Sequence, residues 1–173
     1  HQVLATSHTE GTLQEQTMAV DVHGWTVSGT FDVWFPDAVL KDYKLTSVWS
    51  YIYGGREEWT AQLNLYRLLA SDLEINSLKV VMLFRDWSRR EALASPDKYP
   101  QHEWAEMDVT MWPLDFTQRF LEERVTLHQF ARAGGNVPWT SEDRWERPAT
   151  WAVKKPTYKK AWRVFDNMQQ AHA

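Results

Sequence analysis

The amino-acid sequence predicts one α/β (α+β) domain, a mixed central β-sheet flanked by helices. Three observations carry that expectation. Apolar and polar residues alternate through most of 12–45, in three short runs separated by turn signals. Apolar residues recur at helical spacing over 57–71, 114–133 and 157–170. Between the first two helical stretches, 78–86 is a run whose centre is too apolar for a strand with one wet face.

Taken in order, residues 1–9 read as the tail of a helix. Residues 12–22 form a first strand with Met18 and Val20 on one face, and His23 and Gly24 make a hairpin turn. In the second strand, 25–35, Trp25, Val27, Phe31, Val33 and Phe35 share one face, while Thr26, Ser28, Thr30 and Asp32 share the other. Pro36 and Asp37 break it, and 38–45 is the third strand of an antiparallel meander. Gly54 and Gly55 close a loop. Glu57 and Glu58 then place negative charge in the first turn of a helix, where the dipole favours it, and Trp59, Leu63, Tyr66 and Ala70 follow on its apolar side. A strand at 78–86, a helical turn at 87–94, a loop at 95–100 and a strand at 107–112 come next. The longest helix spans 114–133, with Phe116, Phe120, Val125, Leu127, Phe130 and Ala131 as its buried stripe and Gly134 and Gly135 as its stop. Within a polar loop, Thr140 and Asp143 form a capping box for one turn at 141–147. An extended piece at 151–155 precedes a last amphipathic helix, 157–170, with Ala161, Val164, Phe165 and Met168 inward.

Length and composition bound the function. The 173 residues suffice for a single core without staples, and 43% apolar residues exclude disorder. No run approaches transmembrane length, so no membrane partner is expected. The absence of cysteine excludes disulfides, thiolate zinc sites and cysteine-ligated iron–sulfur clusters in this chain, and fits a cytoplasmic protein. The chain starts at His1, and 1–20 lacks the basic start and apolar core of a signal peptide, so it reads as a trimmed product or fragment. A net charge of −4 argues against a strongly basic nucleic-acid coat. Lys154, Lys155, Lys159, Lys160 and Arg163 nevertheless crowd the last twenty residues and are the candidates for tracking a phosphate backbone; otherwise they form a solvated helix face. The 11 tryptophans serve aromatic cores first, with base stacking open to one or two of them.

The chemistry concentrates in 29–44, GTFDVWFPDAVLKDYK. Asp32 lies on the polar face of an apolar strand, able to meet Asp42 across the hairpin. Asp42 and Lys44 point one way and Tyr43 the other. Two carboxylates and an ammonium converging at the end of a hairpin suit a hard divalent cation and a phosphate. A lone D-x-K is in most proteins a surface charge pair; the signal here is order and spacing. Glu15 occupies the first strand, Gly29-x-x-Asp32 the second and Asp42-x-Lys44 the third. A helix follows with Gln62 and Tyr66 at i and i+4, on one face.

This ordered set, GxxD, DYK and QxxxY, resembles the RecB/Cas4-like branch of the PD-(D/E)xK nuclease superfamily, which includes phage recombination exonucleases. The resemblance covers about residues 1–70 at motif level, and the segments LFRDW and EDRWERPATWAVKKPTYKKAWRVF look like the C-terminal half of phage-type members. It implies a restriction-endonuclease-like core in one domain over 1–173 that lacks the start of its N-terminal helix. It implies Mg²⁺ or Mn²⁺ held by Asp32, Asp42 and the carbonyl of Tyr43. Lys44 would orient and help deprotonate the attacking water, and Gln62 and Tyr66 would position the nucleic-acid backbone. Family members also carry a metal-binding histidine on the helix before the first strand, for which His1 is the candidate and His8 the substitute. The implied function is a metal-dependent DNA exonuclease of recombination or repair, acting on single strands or duplex ends in a bacterial or phage-infected cell, with a recombination protein as possible partner. The alternatives are a structure-specific endonuclease on the same fold and a non-catalytic module that binds DNA ends.

Overall fold

Strand β1 (Leu13–Val22) runs into β2 (Trp25–Phe35) through His23 and Gly24. Both turn residues have positive φ, 49° and 79°, as a two-residue type I′ hairpin requires, and glycine takes the second position without strain. The structure, a computed structural model, describes residues 10–137, 148–155, 157 and 160–172. The expected helix tail at 1–9, with His1 and His8, lies outside the described residues, as do Thr140, Asp143 and Lys159.

The expected meander forms. β2 pairs antiparallel with β3 (Val39–Thr46) from Phe35↔Val39 to Val33↔Lys41. A short helix, α1 (Val48–Ile52), and a longer one, α2 (Glu57–Leu69), then carry the chain back so that β4 (Ser77–Phe84) lies parallel to β3. Parallel neighbours need such a crossover, and this one makes the sheet mixed. After α3 (Arg89–Ala94), β5 (Trp104–Val109) pairs antiparallel with β4, giving the order β1-β2-β3-β4-β5. The core lies between one face of this sheet and α2. Phe31, Leu40, Leu78, Val80 and Met82 pack with Leu63 and Trp59. The fold class is therefore the mixed α+β sheet with flanking helices that the periodicities predict.

Three elements depart from expectation. β5 lies at 104–109, not 107–112. Ala105, Met107 and Val109 alternate against the core, and past Val109 the backbone is taken by other partners: Trp112 N–H donates to Asn64 Oδ1 at 2.7 Å, and Pro113 has no N–H to give a ladder. In α4 (Leu114–Arg132) the buried stripe is Thr117, Leu121 and Val125 at i, i+4 and i+8, packed with Val22, Trp25, Val27, Leu65 and Leu68. Phe116, Leu127 and Phe130 are exposed, and Phe116 and Phe120 meet the Trp112 ring edge-on at 5.0 and 5.3 Å. Val125 is on the buried stripe as expected, while Thr117 and Leu121 take the places expected of Phe116 and Phe120, one position along the helix.

The third departure is at the C-terminal end. The described chain divides into two compact units, His1–Gln129 and Phe130–Ala173. In the second, β6 (Trp151–Val153) pairs antiparallel with β7 (Arg163–Phe165), so 163–165 is strand where a helix was expected. Helix α5 is only Met168–His172, because Asn167 Oδ1 accepts the Gln170 N–H and sets the helix start there. Val164 and Met168 are both 55% exposed rather than inward. An Arg-Val-Phe run with a ready partner strand favours the ladder over a short isolated helix.

Candidate functional site

β3 carries Asp42, Lys44 and Thr46 on the side of the sheet that α2 covers, and Tyr43 on the other side. Asp42 is 3% exposed, a depth that only a partnered carboxylate tolerates. Lys44 Nζ lies 2.7 Å from Asp42 Oδ2. The angles do not make that approach a hydrogen bond, so this buried oxygen has an ion-pair neighbour and no hydrogen-bond donor among the described residues. Lys44 Nζ donates instead to Gln62 Oε1 at 2.8 Å, and Gln62 Nε2 donates to the Tyr66 hydroxyl oxygen at 2.6 Å. An ammonium can only donate, so the amide of Gln62 has one satisfactory orientation, oxygen to Lys44 and nitrogen to Tyr66. The phenol accepts from Gln62, which leaves its own O–H to donate outward.

Asp32 reaches the same place by a local failure of the sheet. Ladder pairing between β2 and β3 stops at Val33↔Lys41, one step before Asp32 would face Asp42. There the Tyr43 N–H donates to Asp32 Oδ2 at 2.6 Å, so a side-chain carboxylate replaces the main-chain acceptor. Burial pushes the Asp42 carboxyl upward; Lys44 opposes this and the negative charge of Asp32 adds to it. Burial likewise raises the Tyr66 phenol, opposed by the Gln62 hydrogen bond, so Tyr66 is a neutral donor at physiological pH. Tyr43 is raised by burial and by Glu106 and Asp32.

Gly29 shows why this motif begins with glycine. A Cβ built there would stand 2.8 Å from Tyr66 Cε1 and 3.3 Å from Leu69 Cδ1, so the bare backbone of β2 is what lets the Tyr66 ring lie across it. Glu15 falls opposite Asp32 in the β1–β2 register, between the pairs Gln14↔Val33 and Gln16↔Phe31; it has φ 48° and its side chain is exposed.

The structure thus brings Asp32, Asp42, Lys44, Gln62 and Tyr66 together. Among the described residues no group of three or more His, Asp or Glu side chains is placed to hold a metal. A cation would rest on two carboxylates, a backbone oxygen and water. That donor set, all oxygen and holding one buried carboxylate oxygen without a donor, fits a hard divalent ion such as Mg²⁺ or Mn²⁺.

The basic candidates belong to the second compact unit and are described by themselves. Lys154 and Lys155 follow β6, Lys160 lies in the connection, and Arg163 opens β7 opposite Val153. All four are exposed, and Lys155 Nζ stands 5.3 Å from the centroid of the Trp162 ring. They surround one end of a two-stranded sheet rather than line a helix face.

Sequence reasoning missed two polar anchors. Asn64, 1% exposed, donates through Nδ2 to the Thr60 and Thr110 carbonyls and accepts from Trp112 N–H, tying α2 to the chain after β5. The signal was an asparagine beside Leu63 on the inward side of a helix. Asp86 accepts from Ser47 Oγ at 2.6 Å and Val48 N–H at 2.8 Å, which fixes the start of α1. No local pattern marks that contact.

No family model matches the sequence, and no curated protein matches it. The solved structures similar to this chain include two crystal structures. The crystal structure of SSO0001 is 18% identical with a TM-score of 0.48, over 73% of this chain and 54% of that one. A crystal structure from Eubacterium rectale that bears the name putative exonuclease is 13% identical with a TM-score of 0.48, over 84% and 55%. The chain spans about half the length of each. At these scores neither likeness assigns an activity.

Proposed function

We propose that this chain is a metal-dependent deoxyribonuclease of the PD-(D/E)xK type, an exonuclease that hydrolyses phosphodiester bonds at DNA ends. The observation that carries the reading is the continuous line Asp42–Lys44–Gln62–Tyr66 beside a pinned Asp32. Core packing alone gives no reason to bury a carboxylate beside an ammonium that a glutamine holds in place.

Asp32, Asp42 and the Tyr43 carbonyl would hold Mg²⁺ or Mn²⁺. When bound, that ion supplies an activated water at neutral pH and charge stabilisation on the phosphoryl oxygens. The rest belongs to the chain's own groups. Lys44 has three N–H donors, one spent on Gln62 and one side turned to Asp42, so the remaining donor can meet a water or a phosphate oxygen. Gln62 fixes that ammonium in place, and Tyr66 offers its O–H to the phosphate backbone. Water oxygen adds to phosphorus and gives up a proton to solvent, the P–O bond to the departing nucleoside oxygen breaks, and that oxygen leaves protonated by solvent.

The test is hydrolysis of linear DNA with Mg²⁺ or Mn²⁺ and with EDTA. The parent chain cuts only with metal, and Asp42→Ala and Lys44→Ala each lose roughly a hundredfold or more. Equal cutting by all three proteins would remove the site assignment. Absence of cutting in the parent, with binding to DNA ends retained, would make it a binding module. Efficient cutting of sealed circles would make it an endonuclease.

A further inference from the structure

We infer that the cleft at the end of the parallel β3–β4 pair holds a nucleobase, stacked on Trp49 and favouring bases that carry an exocyclic amino group over thymine. The cleft, of about 470 Å³, opens between α1 and the segment 86–99, with Trp49, Ile52, Asp86, Glu91, Lys98 and Tyr99 among its walls. Its floor is fixed. Val48 is 2% exposed in the main core, and Asp86 holds the first turn of α1 through Ser47 and Val48.

On that anchored turn the outward side is aromatic. Trp49 is 53% exposed and Tyr53 78%, and their rings stack with centroids 5.9 Å apart and planes 26° from parallel. Two large rings left in water, one on α1 and one at its C-cap, are unnecessary for packing, since the inward residue Val48 supplies it. A stacked indole is a platform for a flat ligand, and base-on-aromatic stacking tolerates any base.

Charge decides which part of a nucleotide enters. Asp86 and Glu91 outnumber Lys98, so the cleft disfavours a phosphate. Glu91 makes no side-chain hydrogen bond or ion pair among the described residues, which leaves a carboxylate to accept from an exocyclic amino group. Thymine has none. Position supports the assignment. Trp49 follows Lys44 by five residues, the last two residues of β3 rising about 3.3 Å each. A base in the cleft would therefore belong to the strand whose phosphate meets Lys44. This inference rests on the nuclease reading.

The test measures binding of fluorescein-labelled oligo(dC), oligo(dA) and oligo(dT) in EDTA, where turnover is blocked, beside cleavage of linear DNA with Mg²⁺. Trp49→Ala should weaken oligo(dC) binding about tenfold or more, and Trp49→Phe should keep most of it. Glu91→Ala should level the preference of the parent for oligo(dC) over oligo(dT). One abasic position in the strand should weaken binding to the parent and make no difference to Trp49→Ala. If the parent cuts DNA but Trp49→Ala binds as tightly as the parent, or no abasic position matters, the cleft is not a base site and the nuclease reading stands. If Trp49→Ala does not fold, equal oligo(dC) and oligo(dT) binding by the parent overturns the base preference. A parent that neither binds nor cuts sinks both readings.

Discussion

The positions that matter most at the residue scale are those where a side chain is forced into an arrangement that packing alone would not select. Gly29 is one. With a Cβ, its nearest neighbour is the Tyr66 ring, itself held by Gln62. Gly29→Ala should displace Tyr66, cut DNA hydrolysis and lower the thermal midpoint, whereas the same substitution in a Tyr66→Ala background should cost little. Equal losses in both backgrounds would show that Gly29 acts through something other than Tyr66. Asp42 is another. Its buried oxygen lacks a donor and it stands near a second carboxylate. Asp42→Asn should abolish activity while raising the thermal midpoint of the metal-free protein by roughly 2–4 °C, the usual trade between a strained site and stability. Mg²⁺ should raise the midpoint of the parent and leave that of the variant unchanged; a lower midpoint for Asp42→Asn would mean that the carboxylate stabilises the fold. Asp32, Asp42, Lys44, Gln62 and Tyr66 could be picked out in the sequence by the order and spacing of GxxD, DYK and QxxxY, whereas the pinning of Asp32 by the Tyr43 N–H could not, because it depends on where the β2–β3 ladder stops. Nor could the reason for Gly29, since it depends on a helix that crosses β2 forty residues later.

At the scale of elements, two polar side chains hold α1 and α2 where the site needs them. Asn64 satisfies two carbonyls and one N–H in the core, and Arg67 adds a bond to the Trp112 carbonyl at 3.0 Å. Asn64→Leu strands the Trp112 N–H and should cost about 2–3 kcal/mol in urea unfolding, with a loss of activity because the rotation of α2 sets Gln62 and Tyr66. A midpoint within error of the parent would contradict this. Asp86 offers a pH signature. The hydrogen bonds from Ser47 and Val48 hold its carboxyl below the ordinary 3.8. A folded value below the unfolded one means that the contribution is present above 3.8 and is lost as pH falls through the lower folded value. Parent and Asp86→Asn should therefore differ in urea midpoint at pH 7 and converge as acid protonates Asp86; a constant gap down to the most acid pH would refute the assignment. Elements whose cues are local, such as the His23-Gly24 hairpin and the Glu57–Leu69 helix, could be read in advance. β5 and the stripe of α4 could not, because Asn64 and Trp112 decide them from elsewhere in the chain.

For the whole molecule the open question is how a chain of net charge −4 would hold a polyanion. Its cations are not spread evenly. In the 1–129 unit, Lys41 and Lys79 are bound to Glu106 and Asp108 across the sheet, so they have little left for phosphate. Lys154, Lys155, Lys160 and Arg163 are exposed around β6 and β7, with aromatic rings among them: Lys155 over Trp162, which is 68% exposed, and Arg163 over Phe165 at 5.1 Å. Cations beside an exposed Trp162 and a half-buried Phe165 suit a single strand, which offers both phosphates and bases. Replacing all four by alanine should weaken oligo(dT) binding and flatten the slope of log affinity against log salt, by about 0.7 for each phosphate no longer neutralised. Hydrolysis at saturating DNA should stay near that of the parent, because the groups proposed to react are on β2, β3 and α2. A weaker affinity with an unchanged slope would mean that the substitutions act through folding rather than through phosphate binding. An unchanged affinity would return these residues to an ordinary solvated surface and leave the cations that hold the strand to be found within 1–129.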